Sequence, residues 1–405
     1  MSVIRSRLGG MAAGLPPAYW LLWVGTVVNR LGGFVVPFLS LYLTSARGIS
    51  IGQAGLIVAF FGAGSFAAQL VGGELTDRFG RRPVLLLSLI GAPPVTLALG
   101  FARQLPAIAA ATAALGFFTD LYRPAVNAAV TDLVAPADRT RGFAYMYWAI
   151  NVGAGVAPVI AGLMAHLDYF LLFAGDALTT LVYGLLVLWR FPESQTSTVG
   201  HAARAPLAGR VRQLAREPIL LVFSLLGLLY GAIYQQGNVT LPLDMLAHGL
   251  GPSDYGLAIS VNGILIVLIT IQVSRFIGRW PRFPAIALAA LLTGLGFGLN
   301  AFARELPAYA LGVAVWTLGE VISASVAPTI IADLAPPEFR GLYMGVFYST
   351  WGLAFFVGPL AGTWAFEKFS ANGLWLACAV LGACLASAYL LLAGVGHRRL
   401  AAGSS

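Results

Sequence analysis

Long apolar runs, each closed by a short cluster of Gly, Pro, Arg or Asp, recur from one end of the sequence to the other. A hydrocarbon core needs roughly 20 residues of α-helix at about 1.5 Å rise each. Runs of that length occur at 18–44, 52–75, 83–101, 106–133, 142–165, 169–191, 218–244, 254–277, 284–303, 306–334, 341–366 and 372–396. They predict an all-α integral membrane protein of about twelve spans. Composition supports this, because 59% hydrophobic and 10% charged residues leave too little polar surface to face water.

The charge pattern adds a topology. Basic residues gather at every second boundary: Arg5 and Arg7, then Arg78, Arg81 and Arg82, Arg139 and Arg141, Arg204, Arg210, Arg212 and Arg216, Arg275, Arg279 and Arg282, Arg340, and Arg398 and Arg399. The alternate loops hold only scattered charges, among them Arg47, Arg103, Asp168, Asp254, Arg304, Glu305, Glu367 and Lys368. The positive-inside rule then places both termini in the cytoplasm of a cell whose inner membrane holds the chain. Arg5 and Arg7 precede an apolar stretch too long for a signal-peptide core, so the first span is expected to remain as an anchor. The net charge of +8 is spread over these boundaries rather than gathered in one stripe, which argues against nucleic acid as a partner. Cys378 and Cys384 lie six apart on the last span, do not share a helix face, and are expected to be packing residues rather than a disulfide or metal site.

Sliding the chain against itself reveals a repeat. Phe101-Ala-Arg-Gln-Leu-Pro106 recurs as Phe302-Ala-Arg-Glu-Leu-Pro307, and 302 − 101 = 201. The same offset pairs Gly48 with Gly249, Gly55 with Gly256, Pro83 with Pro284, Asp132-Leu133 with Asp333-Leu334, Pro136 with Pro337, Arg139 with Arg340 and Pro158 with Pro359. One constant spacing means two six-span halves, 1–191 and 218–405, joined by a basic linker at 192–217. A solute site is expected near mid-depth between them, where rocking of one half on the other opens it to either side.

Between the second and third spans lies Gly73-Glu-Leu-Thr-Asp77-Arg78-Phe79-Gly80-Arg81-Arg82. Its glycines permit a tight turn, Asp77 suits a positive helix N-terminus, and the arginines suit a carboxylate. The fifth span holds Gly153-Ala-Gly155-Val-Ala-Pro158-Val-Ile-Ala-Gly162, and the eleventh Gly358-Pro359-Leu-Ala-Gly362, with small residues that let helices approach closely. With the two parallel halves, these motifs resemble the Major Facilitator Superfamily over essentially the whole chain, and in particular its twelve-span drug:proton antiporters. The resemblance implies that Gly73, Asp77, Arg78, Gly80 and Arg81 form a conformational latch with Asp132 as acidic partner. Its second-half cognate, Ser274-Arg-Phe-Ile-Gly-Arg279, lacks the acid, so a one-sided latch is expected. It also implies that Gly153, Pro158, Gly162, Gly358, Pro359 and Gly362 act as antiporter-type packing. Topology alone, and ordinary small-residue packing, are the plainer explanations of these two motifs.

Charges at mid-depth are the most informative, since each costs roughly 2.5–3.5 kcal/mol if it faces lipid. Arg30, Asp120, Arg123 and Glu320 are such residues, and they fall on spans one, four and ten, which line the cavity in the family. Asp120 and Arg123 stand at i, i+3 and can pair, and Arg30 can reach the same carboxylate. Glu320 has no base within a helical turn on its own span. Withdrawal from water then disfavours its charge and suits it to exchange protons. Glu320 is the preferred coupling carboxylate and Asp120 the second, unless Glu320 simply pairs with Arg30 or Arg123 across the halves. Tyr122, Tyr230, Tyr234, Gln235, Gln236, Asn238 and Trp316 are candidates for a wall that accepts an amphipathic solute. Asp176 and Asp244 are taken as interfacial or helix-end residues. In the exporters that the tenth span resembles, an acid precedes a Tyr-Trp pair in the fifth span; here Met146 precedes Tyr147-Trp148.

The expected activity is proton-coupled efflux of amphipathic or drug-like small molecules by alternating access, in a monomer whose partners are the lipid bilayer, its small-molecule substrate and protons. The alternatives are transport of a defined metabolite bound by Arg30 and Arg123, or a non-transporting receptor on the same fold. No Walker pattern, metal-ligand spacing or Ser-His constellation appears, so neither an enzyme nor a cofactor other than the coupling proton is expected.

Overall fold

A computed structural model describes residues 14–135, 138–192, 217–335 and 340–402, with side chains for all of these except 140, 340–342 and 394–402. The basic linker, Arg5, Arg7, Pro136 and Pro337, and the side chains of Arg340, Arg398 and Arg399 fall outside that description. The helices are α1 Pro17–Ala46, α2 Ile51–Phe79, α3 Arg81–Phe101, α4 Leu105–Leu133, α5 Arg139–Leu167 and α6 Phe170–Arg190. They continue with α7 Pro218–Ala247, α8 Pro252–Ile277, α9 Arg282–Phe302, α10 Leu306–Leu334 and a continuous run Arg340–Ala402. The apolar part of that last run, Tyr343–Ala393, has 51 residues, about twice what one crossing needs. It breaks at Ser370 (φ 72, ψ 167), giving α11 (340–369) and α12 (371–402).

Helix ends follow local chemistry. Ser50 caps α2 by accepting from the Gln53 N–H at 3.4 Å, and Asp254 closes the start of α8 on the Gly251 N–H at 2.8 Å. Gly80, with φ 92, ends α2 and turns the chain directly into α3, a conformation open to glycine at little cost. Ser370 holds a comparable φ with a side chain, which costs about 1–3 kcal/mol. Its hydroxyl caps the Gly373 N–H at 3.4 Å, a contribution of only a few tenths relative to Gly. Ser370→Gly is therefore expected to stabilise the protein by about 1 kcal/mol, read as a raised melting temperature.

The first helix of each half is broken at mid-span. Helix α1 leaves helical geometry at Gly32 and Gly33, and α7 is interrupted around Gln235 and again at Thr240. Since 233 − 32 = 201, the two breaks fall at nearly the same repeat position. Irregular backbone at this depth is tolerated where it borders a cavity or is buried in protein, and Asp176 of α6 accepts from the freed Val35 N–H at 3.2 Å.

Helices α1–α6 pack on one another, chiefly α2 on α4, α3 on α4 and α6, and α1 on α5 and α6; α7–α12 pack likewise, with α9 on α10 and α8 on α10. The two groups meet where α5 packs on α8 and α2 on α11. Gly155 and Gly263 bring the α5 and α8 backbones so close that a Cβ at Gly263 has no room and one at Gly155 would be tight. Further along the same seam Ser253 donates to the Gly162 carbonyl at 3.2 Å, and the Gly52 N–H donates to Glu367 at 2.7 Å. These contacts run from mid-depth to the end bearing the α1–α2 and α11–α12 connections. The groups are thus sealed at that end.

Candidate functional site

Where the seal begins, a cavity of about 290 Å³ lies between the two groups. Arg30 of α1, Asp120 and Arg123 of α4 and Asp176 of α6 stand in its wall, with Tyr122 beside them; from the second group come Tyr234, Asn238 and Asn262. All four charged lining residues belong to the first six helices.

These charges are held in a network. Arg123 Nε lies 2.7 Å from Asp120 Oδ1, and Ser65 of α2 donates to the other oxygen. Asp120 is only 6% exposed while the Arg123 side chain is 53% exposed, so the pair presents its cation to the cavity and hides its anion. Arg30 does not reach Asp120. Its guanidinium donates to the Tyr122 hydroxyl and lies over that ring at 5.4 Å from the centroid, a cation–π contact. Asp176, expected at a helix end, is instead a lining residue, fixed by the Val35 N–H and by Thr180 at 3.5 Å. The signal for it was the Gly32-Gly33 pair, whose break in α1 creates a donor that needs an acceptor.

Glu320 of α10 sits immediately behind the opposite wall. The Tyr234 hydroxyl donates to one oxygen at 3.1 Å and Asn262 Nδ2 to the other at 2.6 Å. Both donors are neutral and both line the cavity. Among the described residues no base pairs with Glu320, so the ion pair with Arg30 or Arg123 is not formed. Asn262, which also donates to Thr317 at 3.0 Å, was missed; an amide midway along the apolar run of α8 is its mark in the sequence.

Four expected wall residues pack elsewhere. Trp316 is buried and stacks on Phe297 at 4.2 Å. Tyr230 is buried with its hydroxyl 3.0 Å from Thr293, and Gln235 is buried against Gly358 of α11. Gln236 likewise donates to the Gly358 carbonyl at 3.0 Å. The break in α7 rotates Gln235 and Gln236 toward α11 and leaves Tyr234 and Asn238 facing the cavity. Asp244 is a buried residue of the second group, accepting from Tyr309 at 2.8 Å and Trp375 at 2.9 Å, outside the cavity wall.

Comparison with known proteins matches residues 22–238 and again 236–403 to the family model of the Major Facilitator Superfamily. The chain belongs to that superfamily. It is 27% identical over 387 residues to multidrug resistance protein MdtH of Aeromonas salmonicida, covering 94% of this chain and 95% of that one. It is 24% identical over 372 residues to a Na(+), Li(+), K(+)/H(+) antiporter of Planococcus maritimus, covering 82% and 86%. The crystal structure of nucleoside transporter NupG superposes with a TM-score of 0.78 at 13% identity, over 93% of this chain and 99% of that one, which is a likeness of fold. The protein is thus a multi-pass membrane protein among transporters.

Within the superfamily fold, the turn between α2 and α3 holds Asp77 and Arg78 in the last turn of α2, with Arg78 over Phe79 at 5.4 Å. Arg81, the first residue of α3, reaches Asp132 at the end of α4 at 2.7 Å. The second half repeats this pair, since Arg282 bonds Asp333 and both are offset by 201. The expectation of a one-sided arrangement fails for this ion pair, because Arg282 lies just beyond the cognate stretch; what the second half lacks is the mate of Asp77, which is Gly278. Arg81 is nearly buried and Arg282 half exposed. Arg81→Ala is expected to cost roughly 1–3 kcal/mol of stability, and Arg282→Ala less than about 1, by denaturant unfolding. Of the antiporter-type residues, Gly153 allows α5 to lie against Arg30, Pro158 and Gly162 touch the start of α8 across the halves, and Gly358 and Gly362 pack α11, with Pro359, on α7.

Proposed function

We propose that this protein is a proton-coupled secondary transporter of the cytoplasmic membrane, and that it exports amphipathic or drug-like small molecules by alternating access. The observation that carries the reading is the contrast between the two cavity walls. Arg30 and Arg123 against Asp120 and Asp176 sum to zero charge when ionised. Glu320 is the remaining carboxylate, hydrogen-bonded only by neutral donors, so its proton sets whether the site carries a net charge of 0 or −1. A carboxylate that alternates between proton and cationic solute is the simplest exchanger such a site supports. Relatives named as a multidrug resistance protein and as a cation/H(+) antiporter support the same chemistry.

With the Arg-rich turns in the cytoplasm, the sealed end faces outward, which suits a state that receives solute from inside. Partners are then lipid, solute and protons, and no resident cofactor is required. The reading is tested in everted membrane vesicles with a fluorescent amphipathic cation. Uptake should appear only with an acidic lumen and vanish with an uncoupler. A second reading, transport of an organic anion, is favoured by the half-exposed Arg123 guanidinium. Flux of organic anions and none of amphipathic cations, lost in Arg123→Ala, would decide for it.

A further inference from the structure

At the sealed end, the 201-residue repeat allows one half to be read against the other. Arg47 corresponds to His248, Gly48 to Gly249, Arg103 to Arg304, Ile108 to Tyr309 and Leu43 to Asp244. The backbones agree, with φ of 65 at Gly48 and 80 at Gly249.

In the second half this corner contains its own anion. The buried Asp244 carboxylate accepts from Tyr309 at 2.8 Å and Trp375 at 2.9 Å, and lies 3.5 Å from His248 Nδ1. Arg304 donates to the Ala301 and Ala303 carbonyls at 3.3 and 2.6 Å. In the first half Leu43 and Ile108 replace the acid and its tyrosine. The matching carbonyls, Gly100 and Ala102, are taken by Arg47 Nη2 at 2.9 and 2.8 Å, while Arg47 Nε donates to Tyr42 at 2.5 Å. Arg47 therefore performs the task that Arg304 performs in the other half. Arg103, the mate of Arg304, is left exposed, with no hydrogen bond or ion pair to a described residue.

Arg103 and Arg47 together border an open recess of about 440 Å³ whose other walls are Ala46, Ile49, Leu105 and Ile108. No carboxylate lines it. Asp168, which borders a neighbouring recess shared with Arg47, is engaged in capping the Phe170 N–H at 2.8 Å.

We propose that this recess binds the phosphate of an anionic lipid headgroup, with Arg103 as principal contact and the remaining edge of Arg47 as second. The chemistry is that of two guanidinium groups, which match phosphate oxygens in pairs, placed where the chain leaves the hydrocarbon and beside apolar walls that accept the top of an acyl chain. The bound phosphate supplies to the first half the negative charge that Asp244 supplies to the second. The recess lies on the α1–α2 connection, a few residues before the Gly52–Glu367 contact that helps seal the two groups.

The test is thermal unfolding of the purified full-length protein in neutral detergent, titrated with phosphatidylglycerol, phosphatidylcholine or inorganic phosphate. Arg103 is exposed and makes no hydrogen bond or ion pair to a described residue, so Arg103→Ala should fold as wild type does. Phosphatidylglycerol should raise the wild-type melting temperature. Its half-saturation should weaken about tenfold in Arg103→Ala, a loss typical of one charge-assisted hydrogen-bonded contact, be only partly restored in Arg103→Lys, which keeps the charge but not the paired donors, and stay unchanged in Lys368→Ala. If inorganic phosphate alone reproduces the Arg103-dependent shift, the phosphate site stands and the lipid assignment is overturned. Equal responses of wild type and Arg103→Ala, or phosphatidylcholine acting as well as phosphatidylglycerol, would overturn the site itself.

Discussion

Glu320→Gln should abolish pH-driven accumulation while leaving solute binding and downhill flux in place. Exchange of one proton for one monovalent cation moves no net charge, so the pH difference alone drives it, at about 1.4 kcal/mol and roughly a tenfold solute gradient per pH unit. The amide keeps the size of the side chain, with Oε1 accepting from Asn262 and Nε2 donating to the Tyr234 hydroxyl, which can turn acceptor, so the pocket's packing should survive. What it loses is the ability to give up a proton and carry the charge that a cationic solute replaces. In vesicles with an acidic lumen the steady-state ratio should therefore fall from tens toward one. Uncoupler-sensitive accumulation at the wild-type level in Glu320→Gln would remove Glu320 from the mechanism.

Gly263→Leu should open the sealed end. Gly263 packs directly on the backbone of Gly155, and a side chain there has only main chain to displace. Overpacking costs typically 1–3 kcal/mol, here borne only by the state in which α5 and α8 touch, so the population should shift by roughly 5- to 150-fold toward the state in which they part. The readout is labelling of Asn238→Cys, a cavity position, by a membrane-impermeant maleimide added from the sealed side. The Leu variant should label at least about fivefold faster, and Gly263→Ala should act in the same direction by less. Unchanged labelling in both would mean that this glycine contact does not gate access.

The twelve crossings were legible because hydrocarbon thickness sets helix length, and most boundaries moved by only a few residues once end caps were visible. The expected single crossings at 341–366 and 372–396 survive even though Ser370 alone interrupts the helix between them. Arg30, Asp120 and Arg123 were legible because unpaired charge cannot face lipid, and the cavity gathers them. Uncharged wall residues were not. Lipid is as apolar as the protein interior, so a membrane helix carries no polar face to mark the side that lines water; Trp316 and Tyr230 therefore read like Tyr234, although only the last reaches the cavity. Asp176 and the rotation of Gln235 depend on the breaks in α1 and α7. The sequence shows those breaks only as Gly32-Gly33 and as polar residues at 235–238.

Coupling of solute to proton movement is most directly measured by reconstituting the wild-type protein in liposomes with an internal pH dye and adding an amphipathic cation to one side with no imposed gradient. Exchange through Glu320 predicts a proton flux opposite to the solute flux, abolished in Glu320→Gln. Solute entry at the same rate with no change in internal pH would contradict it.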